Sequence, residues 1–409
     1  MWQSRTGRLT RYRARGAGRW TIAIVTVRTS VPKCSTTTSG SGSGSSATTS
    51  DPSGTTKSTN QPVNASSSNT PTAPAGAPVA ASPLTIGIVA NTQGWKLHAG
   101  TLQDKVMQTG VKWLREELDW SDVETAPGQY DWSTYDALYT AASQRGLHVL
   151  PLIMATPTWA GPSIQTLPTD PTAYANFVAT VVKRYGPGGA FWAAHPELTP
   201  APSSQFELWN EPWNAPNASA ATYARLMAAA GAAAHAANPA VQVLLDDDIT
   251  AQTVAGKQMS WTDAMYAAVP NLNQFFDIVA IHPYGATLTA KTNDVYGRFR
   301  MEMEDVRSDM VDHGAADKPF WLTEIGWSTC TGGPAGHCVS EADQATLLTQ
   351  LFALVHTTYS GYVRAVFVYH YNDFPAAAQS DPEGHFGLTR ADGSPKPAYA
   401  AFQAAVAAG

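Results

Sequence analysis

The sequence is short of charge, of cysteine and of long apolar runs, and each shortage excludes a class of protein. Charged side chains make up 14% of the 409 residues, whereas apolar ones make up 44%. This balance predicts that most of the chain folds around a core. The N-terminal apolar stretch 21-TIAIVTV-27 is too short to cross a bilayer, so we expect no transmembrane span.

Basic residues are scarce after residue 83. Residues 84–409 carry 17 Lys and Arg against 31 Asp and Glu. A surface this acidic argues against binding to nucleic acid or to an anionic membrane. It suits a neutral substrate, although acidity is also a common solubility device. The sequence also lacks a glycine-rich phosphate-binding fingerprint: Gly87 stands alone in the first apolar run, so a nucleotide-binding fold has little support.

The chain has three cysteines. Cys330 and Cys338 flank 331-TGGPAGH-337, whose Gly and Pro residues allow a short loop to close. We expect a disulfide between them, which suits an oxidising compartment. Their spacing is not that of a zinc site, so we expect no metal, and the chemistry predicted below needs no cofactor.

The N-terminal part resembles an export signal followed by a linker. In residues 1–34, basic residues precede the short apolar stretch, and Cys34 stands where a bacterial lipoprotein carries its lipidated cysteine. However, 31-VPKC-34 lacks the small residue that such a signal has before the cysteine. We expect a secreted, cell-surface or periplasmic protein, with a lipid anchor at Cys34 left open. The alternative is a mis-assigned start or a disordered basic tail. Residues 35–83, rich in Ser, Thr, Gly, Pro and Ala, predict a disordered linker.

Strand-like and helix-like segments alternate in residues 84–409. The strand candidates are 84–90, 111–117, 147–153, 205–210, 241–247, 277–283, 320–325 and 365–371. The helix candidates are 133–145, 172–185, 219–237, 299–313, 341–358 and 396–407, with weaker ones at 101–109 and 261–269. Such alternation predicts a parallel sheet, and eight repeats favour a closed α/β barrel of the (β/α)₈ TIM type over an open doubly wound sheet. We expect one such domain and a monomer.

Polar residues follow two of the apolar runs directly. In 206-FELWNEPWN-214 the fourth run ends in Asn210 and Glu211, and in 320-FWLTEIGWS-328 the seventh run ends in Glu324. The active sites of such barrels lie at the carboxyl ends of the strands. Hydrolysis of a glycosidic bond needs two carboxyl groups, one to protonate the leaving oxygen and one to attack or to activate water. We therefore predict that Glu211 and Glu324 form a catalytic pair.

Other acids in the same runs have a different interpretation. Glu207 has the same strand parity as Glu211, so we expect a buried structural acid paired with Arg115 or Lys112. The run 246-DDD-248 ends the fifth strand and invites a calcium site, but a solvated loop start is the preferred interpretation.

The residues around the two glutamates carry a family resemblance. The stretch 209-WNEPW-213 resembles the Asn-Glu-Pro signature of clan A glycoside hydrolases, which are retaining (β/α)₈ enzymes, and 384-GHFGLTRADGSPKPAY-399 is similar to the end of their domains. Within the clan the chain looks nearest to family 39, which includes β-xylosidase-like and bacterial exopolysaccharide hydrolases, with family 5 as neighbour. The resemblance covers about residues 84–409. It implies that Glu211 is the general acid/base and Glu324 the nucleophile.

The resemblance also implies substrate-binding roles. Asn210 is expected to bond the sugar 2-hydroxyl, Tyr284 to bond the nucleophile, and Arg115 to lie under it, although Arg115 also suits a purely structural pairing with Glu207. His282 is expected in the wall of the site. Aromatic rings serve as flat platforms for sugar faces or as loop anchors, and the candidates are Trp159, Trp213, Trp327 and Tyr369. Strand eight of many clan members ends in Trp, whereas this chain has Tyr369, His370 and Tyr371 there, which puts the substrate in doubt more than the reaction.

Together these features predict a retaining β-glycosidase that hydrolyses O-glycosidic bonds of a poly- or oligosaccharide by a two-glutamate double displacement. One alternative is a catalytically inactive carbohydrate-binding barrel, which would not need both glutamates. Another is a transglycosylase that uses the same pair. The sugar, the linkage and the choice between internal and terminal cleavage stay open.

Overall fold

A computed structural model describes residues 83–90, 104–284, 297–334 and 336–409. The predicted signal region, Cys34 and the predicted linker up to residue 82 lie outside the described residues, as does the first part of the weak helix candidate at 101–109. No helix in these described ranges combines the length and the apolarity needed to cross a bilayer.

Eight parallel strands close into a barrel. They are β1 (Thr85–Val89), β2 (Trp113–Asp119), β3 (His148–Met154), β4 (Gln205–Leu208), β5 (Gln242–Asp247), β6 (Ile278–Ile281), β7 (Phe320–Ile325) and β8 (Val363–Tyr369). Each strand pairs with its neighbours in chain order, and β8 returns to pair with β1. With the helices that flank it, this barrel confirms the predicted (β/α)₈ architecture.

The ends of the strands differ from the prediction by a few residues. The apolar runs at 205–210 and 277–283 continue past the last paired residues, Leu208 and Ile281. An apolar sequence pattern indicates which residues are buried and not which are paired in a strand. Residues just beyond a strand are also buried at the barrel mouth. The strand ends therefore shift, whereas the number and order of strands do not.

Nine helices connect and cover the strands within the described ranges. They are α1 (Trp120–Val123), α2 (Ser133–Gln144), α3 (Pro171–Tyr185), α4 (Ala190–Ala194), α5 (Ala220–Ala237), α6 (Trp261–Ala268), α7 (Gly297–Asp312), α8 (Glu341–Leu354) and α9 (Pro397–Ala408). A π-helical turn, Val355–Tyr359, extends α8, and 3₁₀ turns cover Pro212–Asn214, Leu272–Gln274 and Pro382–His385. Two small hairpins pair Glu124–Ala126 with Gln129–Tyr130 and Gln252–Val254 with Lys257–Met259.

Side-chain caps fix the starts of several helices. Asp170 accepts a hydrogen bond from the Thr172 N–H ahead of α3, and Ser340 does the same for Asp343 ahead of α8. Ser219 and Thr222 form a reciprocal capping box at the start of α5. Such caps satisfy backbone donors that a helix leaves unpaired at its N-terminus, so they end the preceding loops at defined residues.

The core has two parts. One cluster fills the barrel interior and draws on six of its strands: Val89, Leu150, Leu244, Ile278, Ala280, Trp321, Ala365 and Phe367. The larger cluster packs the strands against the helices. A Cβ at Gly87 would lie 2.3 Å from the ring of Phe367. The isolated Gly87 is therefore explained by close packing inside the barrel.

The loop after β7 is closed by a disulfide. Cys330 and Cys338 are bonded, with their Cα atoms 5.0 Å apart. The pairing predicted from the sequence is confirmed.

Candidate active site

Glu324 lies near the end of β7 and is held by two donors. Nη1 of Arg115 donates to its Oε1 over 2.6 Å, and the hydroxyl of Tyr284 donates to its Oε2 over 3.0 Å. Arg115 comes from β2, and Tyr284 follows β6. The structure thus brings together three predicted site residues from three separate strands. Both donors stabilise a negative charge on Glu324.

Glu211 follows β4 in a left-handed backbone conformation, with φ 42° and ψ 60°. Its Oε1 lies 3.1 Å from Nδ1 of His282, and its Oε2 accepts from Nδ2 of Asn214 over 2.9 Å. The Glu211 side chain is 27% exposed, whereas that of Glu324 is 12% exposed. Glu211 therefore presents more of its surface to the open mouth of the barrel.

His282 lies between the two glutamates. Its Nδ1 is 3.1 Å from Glu211 and 3.8 Å from Oε2 of Glu324, and its Nε2 is 3.0 Å from the hydroxyl of Thr323. One carboxylate oxygen of Glu211 lies within 4.8 Å of one oxygen of Glu324. Burial disfavours a charged ring, but the carboxylates, Glu324 first, raise the pKa of His282 well above its usual value. His282 thus lies within hydrogen-bonding distance of Glu211 and close to Glu324.

Arg115 connects the site to the barrel interior. Its Nε and Nη2 donate to the two oxygens of Glu207 over 2.6 and 3.0 Å, and Nη2 also donates to Oδ1 of Asn210 over 2.9 Å. Burial would raise the pKa of Glu207, but Arg115, with help from His282, lowers it to about 2. The expected pairing of a buried Glu207 with Arg115 is confirmed. The same guanidinium also orients Asn210 and Glu324.

The four aromatic candidates lie in different surroundings. Trp159 donates through Nε1 to the carbonyl of Glu124, and Trp213 packs edge-on against Trp261; both remain partly exposed. Trp327 is only 6% exposed, so it offers little surface to a sugar. Tyr369 packs edge-on against Tyr284, with ring centroids 6.4 Å apart, which places it beside the ring that bonds Glu324.

The expectation of a solvated loop start at 246–248 is wrong. Asp246 and Asp247 belong to β5 and are fully buried, and Asp248 is 6% exposed. Their carboxyl groups accept local hydrogen bonds: Asp246 from the Glu211 N–H, Asp247 from the Thr262 hydroxyl, and Asp248 from Thr250. Burial raises the pKa of Asp246 and of Asp247 well above the usual value. A charge pattern alone does not reveal the neighbouring strands that remove these acids from water.

Glu383 is a site residue that the sequence did not indicate. It lies in the 3₁₀ turn Pro382–His385 and accepts a short hydrogen bond from the hydroxyl of Tyr369. Its side chain is exposed, yet protein atoms crowd its carboxyl. This crowding raises the pKa of Glu383 to about 7, and the negative charges of Glu324 and Glu211 add to the shift. A third carboxyl group therefore faces the same mouth, from a loop with no strand-end pattern to signal it.

The acid and histidine side chains form two clusters whose potential ligand atoms lie within 4.8 Å of one another, as far as the structure is described. They are Glu207, Asp246 and His282, and Glu211, His282 and Glu324. Arg115 lies 2.6 Å from an acid of each cluster, and a guanidinium there competes directly with a cation. The donor set fits charge pairing better than a metal, so the prediction of no metal is kept.

Comparison with known proteins agrees with this geometry. Residues 208–399, which include both glutamates, match the family model described as glycosyl hydrolase catalytic core. Comparison with curated proteins finds no match. This match, over 192 of the 409 residues, indicates a glycosyl hydrolase catalytic core and supports an enzyme of the glycoside hydrolase class. The resemblance stated from the sequence is thereby confirmed.

Solved structures with the same fold include glycoside hydrolases of families 39 and 5. A family 39 enzyme from Bacteroides cellulosilyticus WH2 is 20% identical, with a TM-score of 0.55 over 79% of this chain and 63% of its own. A family 39 β-xylosidase from Caulobacter crescentus is also 20% identical, with a TM-score of 0.53 over 78% and 70%. A GH5_18 protein from Streptomyces cattleya, in complex with Manβ1-4GlcNAc, is 18% identical, with a TM-score of 0.55 over 80% of each chain. The chain thus spans less than two thirds of the length of the first of these.

Proposed function

We propose that the protein is a retaining β-glycosidase in which Glu324 is the nucleophile and Glu211 the general acid/base. The observation that carries this proposal is the short separation of the two carboxyl groups, with one oxygen of each within 4.8 Å of the other. Retaining enzymes hold the pair about 5–5.5 Å apart, whereas inverting enzymes need about 6.5–9.5 Å to leave room for a water molecule.

The surroundings of the two glutamates divide the roles. Arg115 donates to one oxygen of Glu324 and Tyr284 to the other, which orients this carboxyl group as a nucleophile requires. Glu211 is the more exposed of the two and accepts from Asn214 in the loop outside the barrel. This position suits a group that exchanges protons with a leaving sugar and then with water.

The reaction then runs in two displacements. In the first, an oxygen of Glu324 bonds to the anomeric carbon while the bond to the leaving oxygen breaks, and the proton of Glu211 passes to that oxygen. In the second, a water oxygen bonds to the anomeric carbon and its proton passes to Glu211. The ester bond breaks and the Glu324 carboxylate is restored. Two inversions return the β configuration.

The proposed substrate is a β-linked poly- or oligosaccharide. A β-xylosidase and a protein that binds Manβ1-4GlcNAc are among the structures of the same fold, and both names refer to β-linked sugars. The partly exposed rings of Trp159 and Trp213 and the ring of Tyr369 supply platform candidates, while Asn210 is oriented by Arg115 for a sugar hydroxyl. Export, which the Cys330–Cys338 disulfide suits, would place the enzyme where such polymers occur.

Azide rescue tests the two roles separately. On an aryl β-glycoside that the wild type cleaves, Glu324→Ala is expected to lose turnover and, with azide, to yield the inverted α-glycosyl azide. The turnover rate of Glu211→Ala is expected to fall about 10²–10⁴-fold on substrates with poor leaving groups. With azide, this variant is expected to yield the retained β-glycosyl azide. Glu197→Ala, which removes an exposed acid on another loop, is the control and should match the wild type. If Glu324→Ala gave the β-glycosyl azide and Glu211→Ala the α-glycosyl azide, the two roles would be reversed. If both variants kept wild-type rates, neither glutamate would have the proposed role.

A further inference from the structure

We infer that Asp246 is a positioning residue for Glu211, because it holds the backbone turn that aims the acid/base carboxyl at the leaving oxygen. The inference rests on the proposed role of Glu211. Asp246 comes from β5, one strand away, and makes its contact through the main chain of Glu211. No part of the catalytic proposal uses Asp246.

The backbone at Glu211 needs such support. Glu211 has φ 42° and Trp209, two residues earlier, has φ 74°. Residues other than glycine seldom adopt positive φ, and they keep it only where the surrounding structure imposes it. Relaxation of this turn to ordinary backbone angles would rotate the Cα–Cβ bond of Glu211 and carry its carboxyl away from His282.

A buried network around Asp246 imposes the conformation. Oδ2 of Asp246 accepts from the Glu211 N–H over 2.8 Å. The Asp246 N–H donates to the hydroxyl of Tyr223 over 2.8 Å, and that hydroxyl donates to the carbonyl of Leu208 over 3.1 Å. All three of the supporting residues are fully buried. The ends of β4 and β5 are thus fixed to each other and to α5 directly under the turn.

The chemistry of the Asp246 side chain suits a residue that holds the Glu211 backbone through one acceptor oxygen. Its other oxygen, Oδ1, is buried and has no hydrogen-bond partner in the described part of the chain. Burial and the charge of Glu207 raise the pKa of Asp246 well above its usual value, against the opposing effects of His282 and Arg115. Asp246 thus supplies one acceptor oxygen, Oδ2, to the Glu211 N–H. An asparagine carbonyl supplies the same acceptor, so Asp246→Asn is a conservative substitution here.

The test compares leaving groups and not rates alone. A misplaced general acid hampers poor leaving groups most, because good ones depart without a proton. For Asp246→Ala, we expect kcat/KM on a phenyl β-glycoside to fall about 10-fold or more beyond the fall on the dinitrophenyl glycoside, since small displacements of catalytic groups are costly. Asp246→Asn should stay within about 3-fold of the wild type on both substrates and keep its pH profile. Asp246→Leu, which fills the space without an acceptor, replaces the alanine variant if that variant does not fold.

Asp247→Ala is the matched control. Asp247 is the next residue, is equally buried, and accepts from Thr262 in α6. Its loss should lower stability without changing the ratio of the kcat/KM values for the two substrates. The inference is overturned if Asp246→Ala lowers kcat/KM equally on both substrates, or if Asp246→Asn behaves like the alanine variant. If Glu211→Ala itself shows no leaving-group dependence, the proposed function fails first, which separates the two outcomes.

Discussion

Nη1 of Arg115 lies 2.6 Å from Oε1 of Glu324, while the same guanidinium holds both oxygens of Glu207. One buried cation thus serves a structural acid inside the barrel and the proposed nucleophile at its mouth. Arg115 is 2% exposed and Glu207 is fully buried. Stability and activity therefore depend on the same side chain.

Removal of Arg115 should damage both properties. Arg115→Ala leaves the buried charge of Glu207 without its main partner, so we expect the free energy of unfolding to fall by about 3–5 kcal/mol. Arg115→Lys keeps the charge but cannot donate to both acids at once, so its kcat/KM should fall about 10²-fold. Urea unfolding and aryl glycoside kinetics measure the two effects.

Arg145→Ala is the control for Arg115. Arg145 pairs with Asp104, and both side chains are partly or largely exposed. Such a surface pair contributes little to stability, so its loss should leave stability and kinetics nearly unchanged. If Arg115→Ala lost no more stability and no more kcat/KM than this control, the buried pairing of Arg115 would not be important for the site.

Glu383 gives a pH-dependent prediction. Its pKa is raised to about 7, so the folded state binds a proton that the unfolded chain has released. The associated stability is present below the unfolded pKa of about 4.3 and is lost as the pH rises through about 7. As the pH rises from about 4.3 to about 7, we expect the Tm of Glu383→Gln to increase steadily relative to that of the wild type. Above this range the difference should stay constant.

Thermal unfolding from pH 4 to pH 9 checks the Glu383 prediction. Asp317→Asn changes an exposed acid in the loop before β7, at the opposite end of the barrel. This variant controls for the loss of one negative charge away from the site. A Tm difference for Glu383→Gln that follows the difference for this control across the pH range would show that Glu383 titrates as an ordinary surface acid.

The barrel and much of the site could be predicted from the sequence, because both depend on local patterns. Eight apolar runs between helical segments specify the closed sheet, and polar residues at the end of a run, such as Glu324, or just beyond it, such as Glu211, must emerge at its mouth. The parity of Glu207 within its strand indicated burial and a partner. These inferences need only the period of a strand and the geometry of the barrel.

The remaining features depend on contacts between distant segments. Three consecutive acids usually mark a solvated loop, and only β4 and α6 packed around β5 explain why Asp246 and Asp247 are buried. Glu383 faces the mouth because the turn before Phe386 is fixed by Ser328 and Lys396 through main-chain carbonyls. Similarly, nothing local distinguishes the nearly buried Trp327 from the partly exposed Trp213.

The most direct test of the account is to trap the covalent intermediate. The wild type is incubated with the 2-deoxy-2-fluoro dinitrophenyl β-glycoside of a sugar it cleaves, then digested and sequenced by mass spectrometry. The fluorine slows both displacements, and the good leaving group lets the first proceed, so the ester accumulates. We predict one fluoroglycosyl group on Glu324, within 320-FWLTEIGWS-328. A label on Glu211 or Glu383, or release of an inverted product without any label, would contradict the account.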